Sequence, residues 1–212
     1  IPEQERDHLF KEFEAYCRDL STKAQTAAAK NTDVKLFELA ADAYENYLKF
    51  FAAAPASQEI RQNLADSRFA AKQYFLAGRA YEGVIEGVKK LSAEPPPAPP
   101  SAPPSPPPAG EKAEPPPPVR DKASLEADKK EAIYTSVLAY NNALKESPKL
   151  SRLELVQARS GLRRSAREYI DSYPSEANQV AVKFNFAKSY YDEGLFDEAT
   201  EYFSALVDEY PT

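Results

Sequence analysis

At 212 residues the chain can build one elongated domain or two small ones. Its formal charge of −6 and pI near 5.1 argue against a general phosphate-backbone binder, which is normally basic. The charge divides as −2 over residues 1–94, −1 over 95–118 and −3 over 119–212, so no segment is a basic domain. Cys17 is the single cysteine, which excludes an intrachain disulfide and a cysteine-built metal site but leaves the compartment open. No apolar run approaches the roughly 20 residues a bilayer span requires. A chain that starts at Ile1 and contains no Met reads as a processed or excised piece, with any targeting signal outside it.

Apolar residues recur at spacings of three and four, and no long stretch alternates as a strand would, so the expectation is helix throughout. Leu9, Phe13, Tyr16 and Leu20 form one stripe. Phe37, Ala40, Ala41, Tyr44, Leu48 and Phe51 form the next. The spacing predicts helices over about 3–29, 33–53, 57–72 and 74–92, with turn signals at Asn31-Thr32-Asp33 and Pro55-Ala56-Ser57. Residues 95–118 then hold 14 of the 19 prolines and no large apolar residue. Such a tract has nothing to bury and reads as solvated and polyproline-II-like, extending about 70 Å at roughly 3.1 Å per residue. It is a PxxP ligand for an SH3- or WW-type domain, a stiff spacer, or a tolerated loop insertion. Helices resume over about 121–147, 150–173, 176–192 and 195–209. Ser151 with Glu154 makes a capping box, ahead of a buried face of Leu155, Ala158, Leu162, Ala166, Tyr169 and Tyr173. The result is eight helices in four pairs.

The chain also repeats itself. Leu64, Ala65, Tyr74, Ala77 and Tyr81 share the spacing of Phe186, Ala187, Phe196, Ala199 and Phe203, at a constant offset of 122 residues. Weaker copies end in AYENYLKFFAAAP (43–55) and SAREYIDSYP (165–174), each closing on a proline. In the last unit, Ala187 and Ala199 would lie where two helices approach. Tyr190, Phe196 and Phe203 would fill the space around them, and Gly194 would supply the turn.

This pattern resembles the tetratricopeptide repeat (TPR) family, whose signature is W-x₂-L-G-x₂-Y…A-x₃-F…P. Phe186 stands at the Leu, Ala187 at the Gly, Tyr190 at the Tyr, and Ala199, Phe203 and Pro211 at the last three. Lys183 stands where the family often has Trp. The resemblance implies an all-α solenoid of helical hairpins, with first helices lining a concave groove and polar outer sides on the terminal helices. The first helix, with Glu3, Glu5, Arg6, Asp7, Lys11 and Glu12, would suit such a cap. The proline-rich tract either loops out of one solenoid or separates helical repeats 1–94 from helical repeats 119–212. Phrases such as EYFSALVDEYP further resemble TPR proteins of the bacterial envelope, including those of outer-membrane assembly and the Tol–Pal system. That likeness implies a periplasmic or outer-membrane-associated setting, the alternative being cytoplasmic.

The same resemblance implies where a partner would bind. The groove positions are Ala181, Phe184, Asn185, Lys188, Tyr191 and Asp192 in the last unit. In the earlier unit they are Glu59, Gln62, Asn63, Asp66, Phe69 and Ala70. Asn63 and Asn185 are equivalent, and in many peptide-binding members an Asn there pairs with the ligand backbone, since an amide both donates and accepts. A full carboxylate clamp is absent, because Asp66 stands at the place of Lys188 and Gln62 is neutral.

The residues themselves suggest no active site, cofactor or metal. His8 is the only histidine and reads as a surface or cap residue, while Cys17 reads as a half-buried structural one. Paired acids such as Asp197-Glu198 read as solvated faces. Gly78, Gly83 and Gly87 lie in one helical pattern and read as sites of close helix packing, since no phosphate loop surrounds them. Arg152, Arg159, Arg163 and Arg167, with Arg164 beside them, make a basic stripe that an acidic partner could use or that neighbouring acids could neutralise. The reading that results is a non-enzymatic scaffold that holds a protein or peptide segment in its groove. The alternatives are a spacer or oligomerisation module with no groove ligand, and an RNA-binding helical repeat, which the acidic balance opposes.

Overall fold

The computed structural model describes residues 3–93 and 121–211, so the proline-rich tract lies outside the described residues. Among them are eight α-helices and one short 3₁₀ turn, with no strand. The helices are α1 (Glu3–Asn31), α2 (Val34–Phe51), α3 (Ser57–Ala70), α4 (Tyr74–Ala93), α5 (Lys122–Lys145), α6 (Arg152–Ser172), α7 (Gln179–Tyr191) and α8 (Phe196–Glu209). Each packs on the next in order, with lesser contact between α4 and α6 and between α5 and α7. This is the nearest-neighbour stacking of a helical-hairpin solenoid.

Local chemistry sets the helix ends. The Asp33 carboxylate accepts from the Lys35 backbone N–H at 2.9 Å and starts α2, and Asp121 accepts from the Ser124 N–H at 2.7 Å to start α5. The capping box of Ser151 and Glu154 is fully formed at the start of α6. Three of the four hairpin turns share one design. Thr32 (φ 51°), Lys72 (φ 59°) and Gly194 (φ 85°) each take the left-handed conformation two residues before the second helix begins. In each turn the following N–H, of Asp33, Gln73 or Leu195, donates to the carbonyl five residues back. That is the hydrogen bond of a Schellman ending. The repeat is therefore one of backbone as well as sequence: α3 and α7 start 122 residues apart (179 − 57), as do α4 and α8 (196 − 74).

The stack continues across the proline-rich tract. Ala77, Tyr81, Val84 and Ile85 of α4 share one core with Ala132, Ile133, Val137 and Ala139 of α5 and with Ala166 and Tyr169 of α6. A Cβ on Gly78 would stand 2.7 Å from the Tyr140 ring, and one on Gly161 would overlap the other side of the same ring. Two glycines thus let α4 and α6 close on a tyrosine of α5. Gly87 leaves room for the Gln58 side chain in the same way, but around Gly83 there is open space, so the expected close packing is absent there.

Two further expectations change. The stripe of Leu9, Phe13, Tyr16 and Leu20 faces largely outward, so α1 does not present a polar outer side. What α1 turns inward is Phe10 and Phe13, against Phe51 at 5.1 and 5.8 Å, and then Cys17, Ala24 and Ala28. In the last hairpin Ala187 and Ala199 are buried, but Tyr202 fills the space around them, 4.8 Å from Phe186 and 5.0 Å from Tyr190. Phe196 is exposed and Phe203 half-buried, because no described helix follows α8 to cover them.

Candidate interaction surfaces

The sequence-predicted groove residues fall into two groups with different surroundings. On α3, Asp66 is largely buried. One of its carboxylate oxygens accepts from the Tyr81 hydroxyl at 2.7 Å and from the Gln62 amide at 2.9 Å. Burial pushes the Asp66 carboxyl above the usual range; the two hydrogen bonds oppose that shift and nearby Glu131 reinforces it. The Asn63 amide reaches toward the Tyr44 hydroxyl of α2, and Phe69 stacks edge-on against Tyr74 at 5.4 Å. These side chains serve the packing of their own hairpin as well as facing outward, since all four are only partly buried.

On α7 the equivalent positions are more open. Phe184 is exposed and leans on Phe203 at 5.6 Å. Tyr191 is exposed and meets Phe196 edge-on at 5.5 Å. Between them Lys188 and Asp192 form an ion pair one turn apart, and Asn185 is half-buried. Helical spacing puts 184, 188 and 191 on one face, so the α7 surface offers two aromatic rings around a paired charge.

The arginine stripe of α6 is turned onto α7. Arg163 donates from Nε to the Ser189 hydroxyl at 3.0 Å and from Nη2 to the Ser189 carbonyl at 2.9 Å. Its Nη2 also meets Glu193 at 2.6 Å, and its guanidinium carbon lies 3.8 Å from the centre of the Tyr190 ring. Arg159 reaches Glu193 at 3.7 Å, and Arg167 stands 5.2 Å over Phe186. Arg164 pairs with Glu82 of α4. Of the stripe's members Arg152, in the first turn of α6, is exposed with no partner on α7. Neighbouring acids and rings therefore neutralise most of the stripe.

Sequence reasoning missed a cleft of about 210 Å³ between α6, α7 and α8, floored by Phe186, Tyr202 and Leu206 and rimmed by Arg167, Lys183 and Glu209. Lys183 crosses its mouth to Glu209 at 2.6 Å. The signal that could have found it is Tyr202, an aromatic where the earlier unit has Ala80. His8 is exposed, 3.6 Å from Glu12, and Cys17 is half-buried, its thiol pushed up by burial and by Glu14. Among the described residues no group of three or more His, Cys, Asp or Glu could hold a metal ion, and no helix is long and apolar enough to cross a membrane. No protein-family model, curated protein or solved structure matches the chain.

Proposed function

We propose that the chain is a TPR-type interaction scaffold that holds a protein segment along the face formed by Gln62, Asn63, Asp66 and Phe69 of α3 and Phe184, Asn185, Lys188, Tyr191 and Asp192 of α7. The observation that carries this reading is the pair of exposed aromatics on α7, Phe184 and Tyr191, flanking the Lys188–Asp192 ion pair. Aromatic anchors beside adaptable polar groups are the usual composition of a protein-binding hot spot. The shared left-handed turn at Thr32, Lys72 and Gly194 supports the repeat assignment independently of the side chains. The likeness of the repeat endings to envelope TPR proteins supports a periplasmic or outer-membrane-associated assembly as the setting.

The test is a crosslinked pull-down from the source cell with wild type and an Asn63→Ala/Asn185→Ala/Lys188→Ala variant. A partner captured by wild type and lost by the variant is the expected result. A partner retained by both moves the site off this face.

A further inference from the structure

Both ends of the stack expose residues whose counterparts inside it are buried in a joint between hairpins. The left-handed turn residues set the register: Thr32 corresponds to Lys72 at an offset of 40 and to Gly194 at 162 (122 + 40). By that register Leu20 of α1 corresponds to Ile60 of α3 and Val182 of α7. Ile60 is 1 % exposed and packs among Tyr44, Tyr47 and Phe51 of α2. Val182 is 1 % exposed and packs with Ala166 and Tyr169 of α6. Leu20, with no hairpin before it among the described residues, is 69 % exposed, and Tyr16 lies exposed one turn earlier.

The other end is built the same way. Val207 of α8 corresponds to Ile85 of α4, which α5 covers: Ile85 is 5 % exposed and Val207 66 %. Tyr210 and Phe203 stand where Val88 and Tyr81 are buried. One chain therefore carries both halves of the joint that its inner hairpins form, one half on α1 and the other on α8.

We infer that the α8 end of one copy docks on the α1 end of a second copy, with Leu20 and Tyr16 entering the Phe203–Val207–Tyr210 face as Ile60 and Val182 enter the faces before them. The second copy is the occupant because its α1 supplies the half that α8 lacks, and the contact continues the packing that already joins α2 to α3, α4 to α5 and α6 to α7. Such a head-to-tail contact is heterologous and leaves a free half at each end, so it adds copies without closing. It involves none of the residues assigned to partner binding above, so the two readings stand or fall separately.

Sedimentation of the 23.6 kDa chain across concentrations tests this. Wild type should pass from monomer through dimer to larger species as concentration rises. Leu20→Glu and Val207→Glu should each weaken self-association by more than tenfold. Both residues are exposed, and circular dichroism checks that the variants stay folded. A 1:1 mixture of the two variants should form a dimer and stop there, because it retains one intact head and one intact tail. A wild type that stays monomeric, a variant that still self-associates alone, or a mixture that stays monomeric each overturns the inference.

Discussion

The ring of Tyr140 occupies the space that a side chain on Gly78 would need, with its nearest atoms 2.7 Å from the position of a Cβ there. The two helices concerned are separated in sequence by the proline-rich tract, yet they meet as closely as any neighbours in the stack. The Tyr140 hydroxyl donates to Glu82 at 2.8 Å, which fixes the ring's outer end. Gly78→Ala should therefore destabilise by about 1–3 kcal/mol, the cost of overpacking a well-filled core. Gly83→Ala meets open space in the same helix and should stabilise by about 0.5–1 kcal/mol through helix propensity alone. Urea unfolding of the pair checks the contrast; equal effects would mean that Tyr140 is not seated there.

The hairpin turns give a second contrast. Gly194 takes φ 85° without penalty, whereas Lys72 takes φ 59° with a Cβ. Gly194→Ala should cost about 1–2 kcal/mol, the penalty of the left-handed region for an L-residue. Lys72→Gly should gain roughly 0.5–1 kcal/mol by removing that penalty. Thermal unfolding midpoints should move in opposite directions.

Asp66 links the expected binding face to pH. Its folded-state pKa is raised, so the folded chain binds a proton that the unfolded chain has already released. Stability is then lost as pH rises from the ordinary carboxylate range through the folded value, and the penalty is absent below that range. Asp66→Asn keeps an acceptor for Tyr81 and Gln62 but carries no charge. Its melting temperature should exceed that of wild type at pH 7, and the gap should close toward pH 3. A gap that widens on acidification would mean that the carboxylate stabilises the fold.

Arg163 holds α6 to α7 through Ser189, Glu193 and the face of Tyr190. Charge-assisted hydrogen bonds and a cation–π contact at a partly exposed site make Arg163→Ala worth about 1–2 kcal/mol of stability. Arg152→Ala, with no partner on α7, should change the unfolding midpoint little. A larger effect at Arg152 than at Arg163 would place the functional part of the stripe in the first turn of α6.

The helices and their turns were legible because apolar spacing and capping residues are local signals. Asp33, Ser151 with Glu154, and Gly194 each act within a few residues of where they stand. The core of α6 was legible for the same reason, since Ala158, Leu162, Ala166 and Tyr169 follow one helical period. What the sequence left open depends on neighbours. Whether the stripe of Leu9, Phe13, Tyr16 and Leu20 points inward is decided by which face α2 covers. Whether Phe203 is buried as Tyr81 is depends on a following helix. Gly83 and Gly78 look alike in sequence, and only the approach of Tyr140 separates them. The joining of α4 to α5 could not be read either, because the intervening residues carry no signal about where the chain resumes.

The central claim is that the α3–α7 face receives a protein segment, and site-specific photo-crosslinking in the source cell tests it most directly. A photoreactive residue replaces Phe184 or Tyr191 on that face, with Leu76 and Val156 as exposed apolar controls elsewhere. The account predicts one common adduct from positions 184 and 191 and none from 76 and 156. Adducts from the control positions alone, or none from 184 and 191, would contradict it.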